Sequence, residues 1–382
     1  MPLNLPALPA GLWRVMLGTT LVVSSYSLLN PVLAVRLQTA GASNLAVGLV
    51  AMLPFLSVAL LVPVVSRVFD RVGVGRAYRI GLLLELLSCL GYLLTDDYRA
   101  WCALSLMAGM GAAAAWNATE GLIAHNVPAT HRGRLTGLYQ ALLGAGMALG
   151  PFLPGLLGLT PTGANVLAAA GLALGLGITL APSVSHLRAH HEDRPHVSLM
   201  AAWRFRPALA WAAVVGGVFE VGLSSVTTAH GSAVGLGLGA ATSIAGVLGM
   251  GSFALQYPLG WLADHVPSRR LFAGGAALLA LSGVAFTQAT AWPPLLWLCA
   301  ALWGGLGGAL YTLSMIRVAH DFEDTSALAG TSAMIAGYTA GGALGPVVSG
   351  WFFDHAGVGG QGAWLALLGL SLLVLQRRRA AA

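Results

Sequence analysis

Residues Gly146-Met147-Ala148-Leu149-Gly150-Pro151-Phe152-Leu153-Pro154-Gly155 return, 195 residues later, as Gly341-Gly342-Ala343-Leu344-Gly345-Pro346-Val347-Val348-Ser349-Gly350. The same offset of 195 carries Trp116 to Tyr311 and His125 to His320, and an offset of 194 carries Asp70 to Asp264. The chain is therefore a duplication, and internal repetition on this scale fixes the architecture before any single motif does. Working outward from the two copies, breaks at prolines, glycines and charges separate apolar runs near 13–37, 43–69, 77–95, 100–127, 134–158 and 163–186. A second set lies near 207–230, 238–263, 271–290, 294–319, 328–353 and 361–377. Six is an even number, so each half brings the chain back to its starting side and the halves are parallel copies.

Composition names the solvent of these runs. The 382 residues are 57% hydrophobic and 8% charged, with a mean hydropathy of +0.78, where a water-soluble domain carries roughly a quarter charged residues. Disorder is excluded too, because unfolded segments are poor in apolar residues. A bilayer core of about 30 Å takes roughly 20 apolar residues per helix. The expected class is an all-α polytopic membrane protein of 12 transmembrane helices in two pseudo-symmetric six-helix bundles, 1–186 and 207–382, joined by a polar linker, 187–206. That linker carries Arg188, His190, His191, Glu192, Asp193, Arg194, His196, Arg204 and Arg206.

All 19 basic side chains are arginine and the net charge is +6. The arginines are scattered between apolar runs, so no continuous patch exists to track a nucleic-acid backbone. They report topology instead, since short loops rich in basic residues stay cytoplasmic. Alternate loops collect Arg67, Arg71, Arg76 and Arg79, then Arg132 and Arg134, then the linker, then Arg269 and Arg270, then Arg377, Arg378 and Arg379, while the opposite side has only Arg36 and Arg99. Both termini are expected in the cytoplasm of a bacterial cell, with the chain in the inner membrane and no cleaved signal at its start. Cys89, Cys102 and Cys299 fall in or beside apolar runs and read as packing residues rather than a disulfide framework. The three linker histidines lack ligand spacing, so no metal is expected.

Two loop motifs then carry a resemblance. After the second run stands Asp70-Arg71-Val72-Gly73-Val74-Gly75-Arg76, and after the eighth Gly260-Trp261-Leu262-Ala263-Asp264-His265-Val266-Pro267-Ser268-Arg269-Arg270. With the six-plus-six hydropathy and the polar linker, these resemble the major facilitator superfamily of secondary transporters over essentially the whole chain. Trp116-Asn117-Ala118-Thr119-Glu120 and Gln256-Tyr257-Pro258 look like a poorly characterised bacterial branch of it. The first loop departs from the family pattern at Ser66 and by one extra residue before Arg71, the second at His265 and Pro267. The resemblance implies that spans 1, 4, 7 and 10 line a central cavity, that 2, 5, 8 and 11 form the moving contacts, and that access alternates as the halves rock. It also makes Asp70, Arg71, Arg76, Asp264, Arg269 and Arg270 a cytoplasmic gate, as breakable carboxylate–arginine latches at helix ends. The glycine-proline stretches resemble an efflux signature. Gly146, Gly150, Pro151, Gly345 and Pro346 would give close packing and bending in spans 5 and 11, with Pro154 a departure from the usual terminal glycine pair.

Three carboxylates fall inside apolar runs, Glu85, Glu120 and Glu220. An ionised acid in hydrocarbon costs at least a few kcal/mol, so such groups mark a pathway or a proton site. Glu120 and Glu220, on spans 4 and 7, are the expected proton-coupling residues. Glu85, on an outer span, is expected to be a structural acid packed inward. Helical spacing puts Trp116 and Asn117 on the face of Glu120, and Ser224 on that of Glu220. Tyr26 and Asn30 on span 1, and Tyr311 and Ser314 on span 10, complete an expected substrate cavity, which with few hydrogen-bonding groups suits a small amphipathic or aromatic solute.

The reading is a secondary transporter without cofactor, driven by the proton gradient, that exports a small hydrophobic or amphipathic compound. Its expected partners are the solute and the lipid bilayer, and its expected state is a monomer. An uptake symporter or facilitator for a sugar or amino acid, and a membrane receptor or scaffold without flux, stand beside it. No phosphate-binding loop, zinc motif or nucleophile–base pair marks the chain as an enzyme.

Overall fold

The computed structural model describes residues 10–185, 187, 207–321 and 325–378, and among them no strand occurs. The linker 188–206, with His190, His191 and His196, lies outside the described residues, as do the side chains of Arg132, Arg134, Gln256, Tyr257 and His320. The first half supplies α1 (Ala10–Thr39), α2 (Asn44–Val72), α3 (Val74–Leu94), α4 (Tyr98–Asn126), α5 (Ala129–Leu149) and α6 (Pro161–Thr179). The second supplies α7 (207–233), α8 (Leu238–His265), α9 (Ser268–Phe286), α10 (Pro294–Asp321), α11 (325–355) and α12 (358–378). These twelve helices follow the twelve apolar runs.

Local chemistry sets the boundaries. α4 starts where the Asp97 carboxylate accepts the Ala100 N–H at 2.8 Å, and α6 where Thr160 accepts the Gly163 N–H at 3.1 Å just ahead of Pro161, which satisfies donors a helix start leaves open. α11 and α12 part at Gly357, whose φ of 62° suits a residue without Cβ. Among the described residues, eight helical stretches, or nine counting the bent α7, are long and apolar enough to cross a membrane, the 333–375 stretch holding both α11 and α12. α4 and α5 fall short of that hydropathy because they are rich in glycine, alanine and polar side chains. Large apolar side chains such as Leu60, Leu94 and Leu281 stand exposed, as lipid-facing residues should.

Two compact units divide the chain. One holds residues up to Leu29 and from Leu56 to Asp193; the other holds Asn30–Phe55 and everything from Arg194. In the first, α3 packs closely on α4 and α6. Its centre carries a polar network: Thr19 bonds Tyr78 at 2.9 Å and Thr119 at 2.8 Å, and Tyr78 donates to the Val15 carbonyl. In the second, Phe219 and Phe286 pack with tilted rings on Trp303 at the heart of an apolar core. There α8 and α10 touch backbone to backbone: a Cβ on Gly304 would stand 1.8 Å from the Leu248 carbonyl oxygen, and one on Gly251 would stand 2.2 Å from that of Ala301. The stretch 30–55 joins this unit through the same device, since Gly48 lies against the Pro346 carbonyl and Gly350 against that of Asn44. Small residues allow such contact where lipid supplies no hydrophobic drive for helices to associate.

Candidate functional site

In the second unit the site is built around Glu220. Pro207–Gly217 and Ser224–Ala233 are α-helical, but Val218–Gly222 between them is a π-turn, and the helix bends by 41° there. Such turns widen the backbone by one residue and occur often at functional positions. Glu220 sits inside the turn. Its Oε1 accepts a short hydrogen bond from the Ser252 hydroxyl of α8, and the Tyr338 hydroxyl of α11 donates to the same carboxyl. Gly308 of α10 makes the room, because a Cβ there would meet Oε1 at 2.7 Å. The Tyr338 ring packs on that of Tyr311 at 4.6 Å between centroids. Four helices thus converge on one carboxyl.

The π-turn ends between Glu220 and Ser224, and Ser224 is half-buried. The hydroxyl that meets Glu220 comes from Ser252. Its neighbour Ser225 instead donates weakly to Asn30 of α1 at 3.4 Å. Ser314, expected in the cavity, is instead fully buried and donates to the Leu310 carbonyl of its own helix, so it faces no open space.

In the first unit the Trp116 indole N–H donates to Glu120 Oε1 at 2.8 Å, one turn along α4, as the spacing of the two residues requires. Asn117 uses its amide on the Ala113 carbonyl. Tyr26 lies near Glu85, Cys89 and Tyr92. Glu85 itself is 4% exposed and its Oε1 has no hydrogen-bond partner; its side chain packs on Gly111 of α4.

The glycine-proline stretches both meet the first helix of their half. Gly146 and Gly150 lie against Ser24 of α1, and Gly345 against Val218 and Gly222 of α7. At Gly150–Phe152, which includes Pro151, the helix tightens into a 3-10 turn, whereas α11 runs on through Pro346. Asp70, Arg71, Arg76, Asp264, Arg269 and Arg270 are all exposed, and none makes a side-chain hydrogen bond or ion pair among the described residues. His265 stacks on Trp261 at 4.3 Å and holds its carbonyl. No group of three or more metal-ligating side chains occurs among the described residues.

The sequence profile described as Major Facilitator Superfamily matches residues 15–321. The chain belongs to the Major Facilitator Superfamily. Members of this superfamily are secondary transporters that cross the membrane many times, and the chain is accordingly a multi-pass membrane transporter and not an enzyme. It is 24% identical over 343 residues to the uncharacterized MFS-type transporter YcaD of Shigella flexneri, covering 87% of this chain and 86% of that one. YcaD of Escherichia coli strain SE11 is 24% identical over 340 residues. Among solved structures, the nucleoside transporter NupG superimposes with a TM-score of 0.77 at 12% identity, covering 97% of this chain and 98% of NupG. The D-xylose-proton symporter gives 0.69 at 14%, covering 95% and 96%. These likenesses establish the superfamily fold from end to end.

Proposed function

We propose that the chain exports a small hydrophobic or amphipathic compound from the bacterial cytoplasm across the inner membrane, in exchange for protons. The observation that carries this reading is Glu220: an acid inside a span, held by Ser252 and Tyr338 at a π-turn where four helices meet. A carboxyl so placed is worth its cost in hydrocarbon if it takes up and gives up a proton. Glu120, tied to Trp116 on α4, is the second such group.

In this cycle an outward-facing Glu120 or Glu220 takes a proton, and the bundles 1–186 and 207–382 rock to face the cytoplasm with both termini on that side. Proton release there leaves a carboxylate, and solute entering beside Tyr311, Tyr26 and Trp116 resets the cycle. The transporter works as a monomer in the bilayer, with the proton gradient in place of any cofactor. The test is efflux from proteoliposomes under an imposed pH gradient. Wild type should couple flux to the gradient, and Glu220→Gln and Glu120→Gln should each lose coupling while the protein stays folded. Unchanged coupling in the double variant, or solute accumulating on the side into which protons flow, would overturn it.

A further inference from the structure

Between α8, α9 and α10 the second unit carries a groove of ≈ 190 Å³. Its walls are apolar, with Leu259, Leu278 and Leu306 one from each helix. Its floor is bare backbone. A Cβ on Gly274 would meet no heavy atom within 4 Å, and one on Gly275 would meet only the tip of Leu310 at 3.6 Å. Arg270 is the one charged side chain in the lining, and it is exposed, with no side-chain partner among the described residues. On the same helix the face leads outward through Leu278, Leu281 and Val284, which are 47%, 64% and 56% exposed. In a chain that lives in a bilayer, such a face meets acyl chains.

The chemistry of the groove is that of a hydrocarbon slot with a single cation at one end. A soluble anion would satisfy Arg270 but leave the leucine walls wet, and a purely apolar molecule would fill the slot but leave the guanidinium unpaired. A glycerophospholipid with a net negative headgroup satisfies both, since guanidinium pairs with phosphate in a bidentate fork and basic pockets between helices near the membrane surface select anionic headgroups. We propose that this groove binds one anionic phospholipid, an acyl chain lying over Gly274 and Gly275 and the phosphate on Arg270. Because Arg270 opens α9 straight after the loop that follows α8, a bound lipid ties that loop to the leaflet. The site is separate from the Glu220 cluster and stands whichever way the transporter runs.

The experiment places the full chain in bilayer discs of mixed phosphatidylglycerol and phosphatidylcholine and counts retained lipids by native mass spectrometry. Wild type should keep one phosphatidylglycerol in preference to phosphatidylcholine. Arg270→Gln should cut that preference about five-fold, the effect of one basic side chain near a membrane surface, while the adjacent, exposed Arg269→Gln outside the groove should leave it in place. Gly274→Leu projects into the open slot and should lower retention of both lipids without lowering the unfolding temperature in detergent. Equal retention of the two lipids by wild type, full phosphatidylglycerol retention by Arg270→Gln or Gly274→Leu, or the same loss in Arg269→Gln would overturn the assignment.

Discussion

Asp354, near the end of α11, caps the first turn of α2 by bonding Asn44, which precedes it by 310 residues. Its Oδ1 accepts both the Asn44 N–H and the Asn44 side-chain amide at 2.9 Å, and its Oδ2 accepts the Leu45 N–H at 2.8 Å. The first N–H groups of a helix have no partner within it, and the helix dipole favours an anion there. Burial pushes the Asp354 carboxyl up, but hydrogen bonds from Leu45, Asn44 and Ser43 outweigh it and hold the group below the usual carboxylate range.

A depressed native pKa fixes the sign of a pH effect. The stabilisation is complete above the ordinary aspartate value of about 3.9 and disappears as pH falls through the lower native value. Asp354→Asn keeps one acceptor and loses the charge. We expect it to lower stability at pH 7 by about 1 kcal/mol, the size of a capping contact at an exposed helix end. Thermal unfolding in detergent should show that gap closing below about pH 4, and a gap that persists in acid would contradict the charge-based account.

Glu220 and Ser252 should behave as one unit. Ser252→Ala removes a donor to a carboxyl inside a span, and loss of such a bond is worth about 1.5 kcal/mol or roughly ten-fold in rate. Gradient-driven flux in proteoliposomes should fall by about that factor. In a Glu220→Gln background, where coupling to the gradient is already lost, the same serine change should lower the remaining flux much less, because residues in contact are not additive. Equal losses in both backgrounds would show that the serine acts elsewhere.

How far the sequence foretold this arrangement depends on the range of each contact. The repeat at 146–155 and 341–350, with its hydropathy, marks all twelve helices, and the Trp116–Glu120 bond follows from helical spacing alone. Ser252 and Tyr338 gave no such signal, because they reach Glu220 from other helices and nothing along the chain aligns them with it. The π-turn was hidden as well, since an extra residue in one turn leaves the apolar run intact. The Asp354 cap lies at the far extreme, a carboxylate outside every motif that finds its partners across most of the chain.

Arg79 looked from sequence like one more topology-setting arginine, yet it closes a helix end. Its Nε donates to the Thr179 carbonyl at 2.8 Å and its Nη2 to the Ala181 carbonyl at 3.1 Å, at the end of α6 where carbonyls lack helical partners. Arg79→Ala should destabilise by about 2 kcal/mol, the loss of charged hydrogen bonds to half-buried acceptors. Arg79→Lys keeps the charge but lacks the fork that spans both carbonyls, so it should recover only part. Full recovery by lysine in thermal unfolding would mean that charge, not geometry, matters here.

Glycines in this chain divide sharply by what surrounds them, and Gly304 and Gly260 give the cleanest contrast. A Cβ on Gly304 would stand 1.8 Å from the Leu248 carbonyl oxygen and 2.8 Å from its carbon, which are backbone atoms that no rotamer change can move. Gly304→Ala must therefore push α10 away from α8, and overpacking of a close crossing costs about 1–3 kcal/mol or more. A Cβ on Gly260, on α8, meets nothing within 4 Å. There alanine should be neutral or stabilising by up to about 1 kcal/mol, because it restricts the unfolded backbone more than glycine does. Unfolding temperatures in detergent should move in opposite directions for the two variants, or down for Gly304→Ala alone. If Gly304→Ala were as stable as wild type, the backbone contact between α8 and α10 would not be part of the fold.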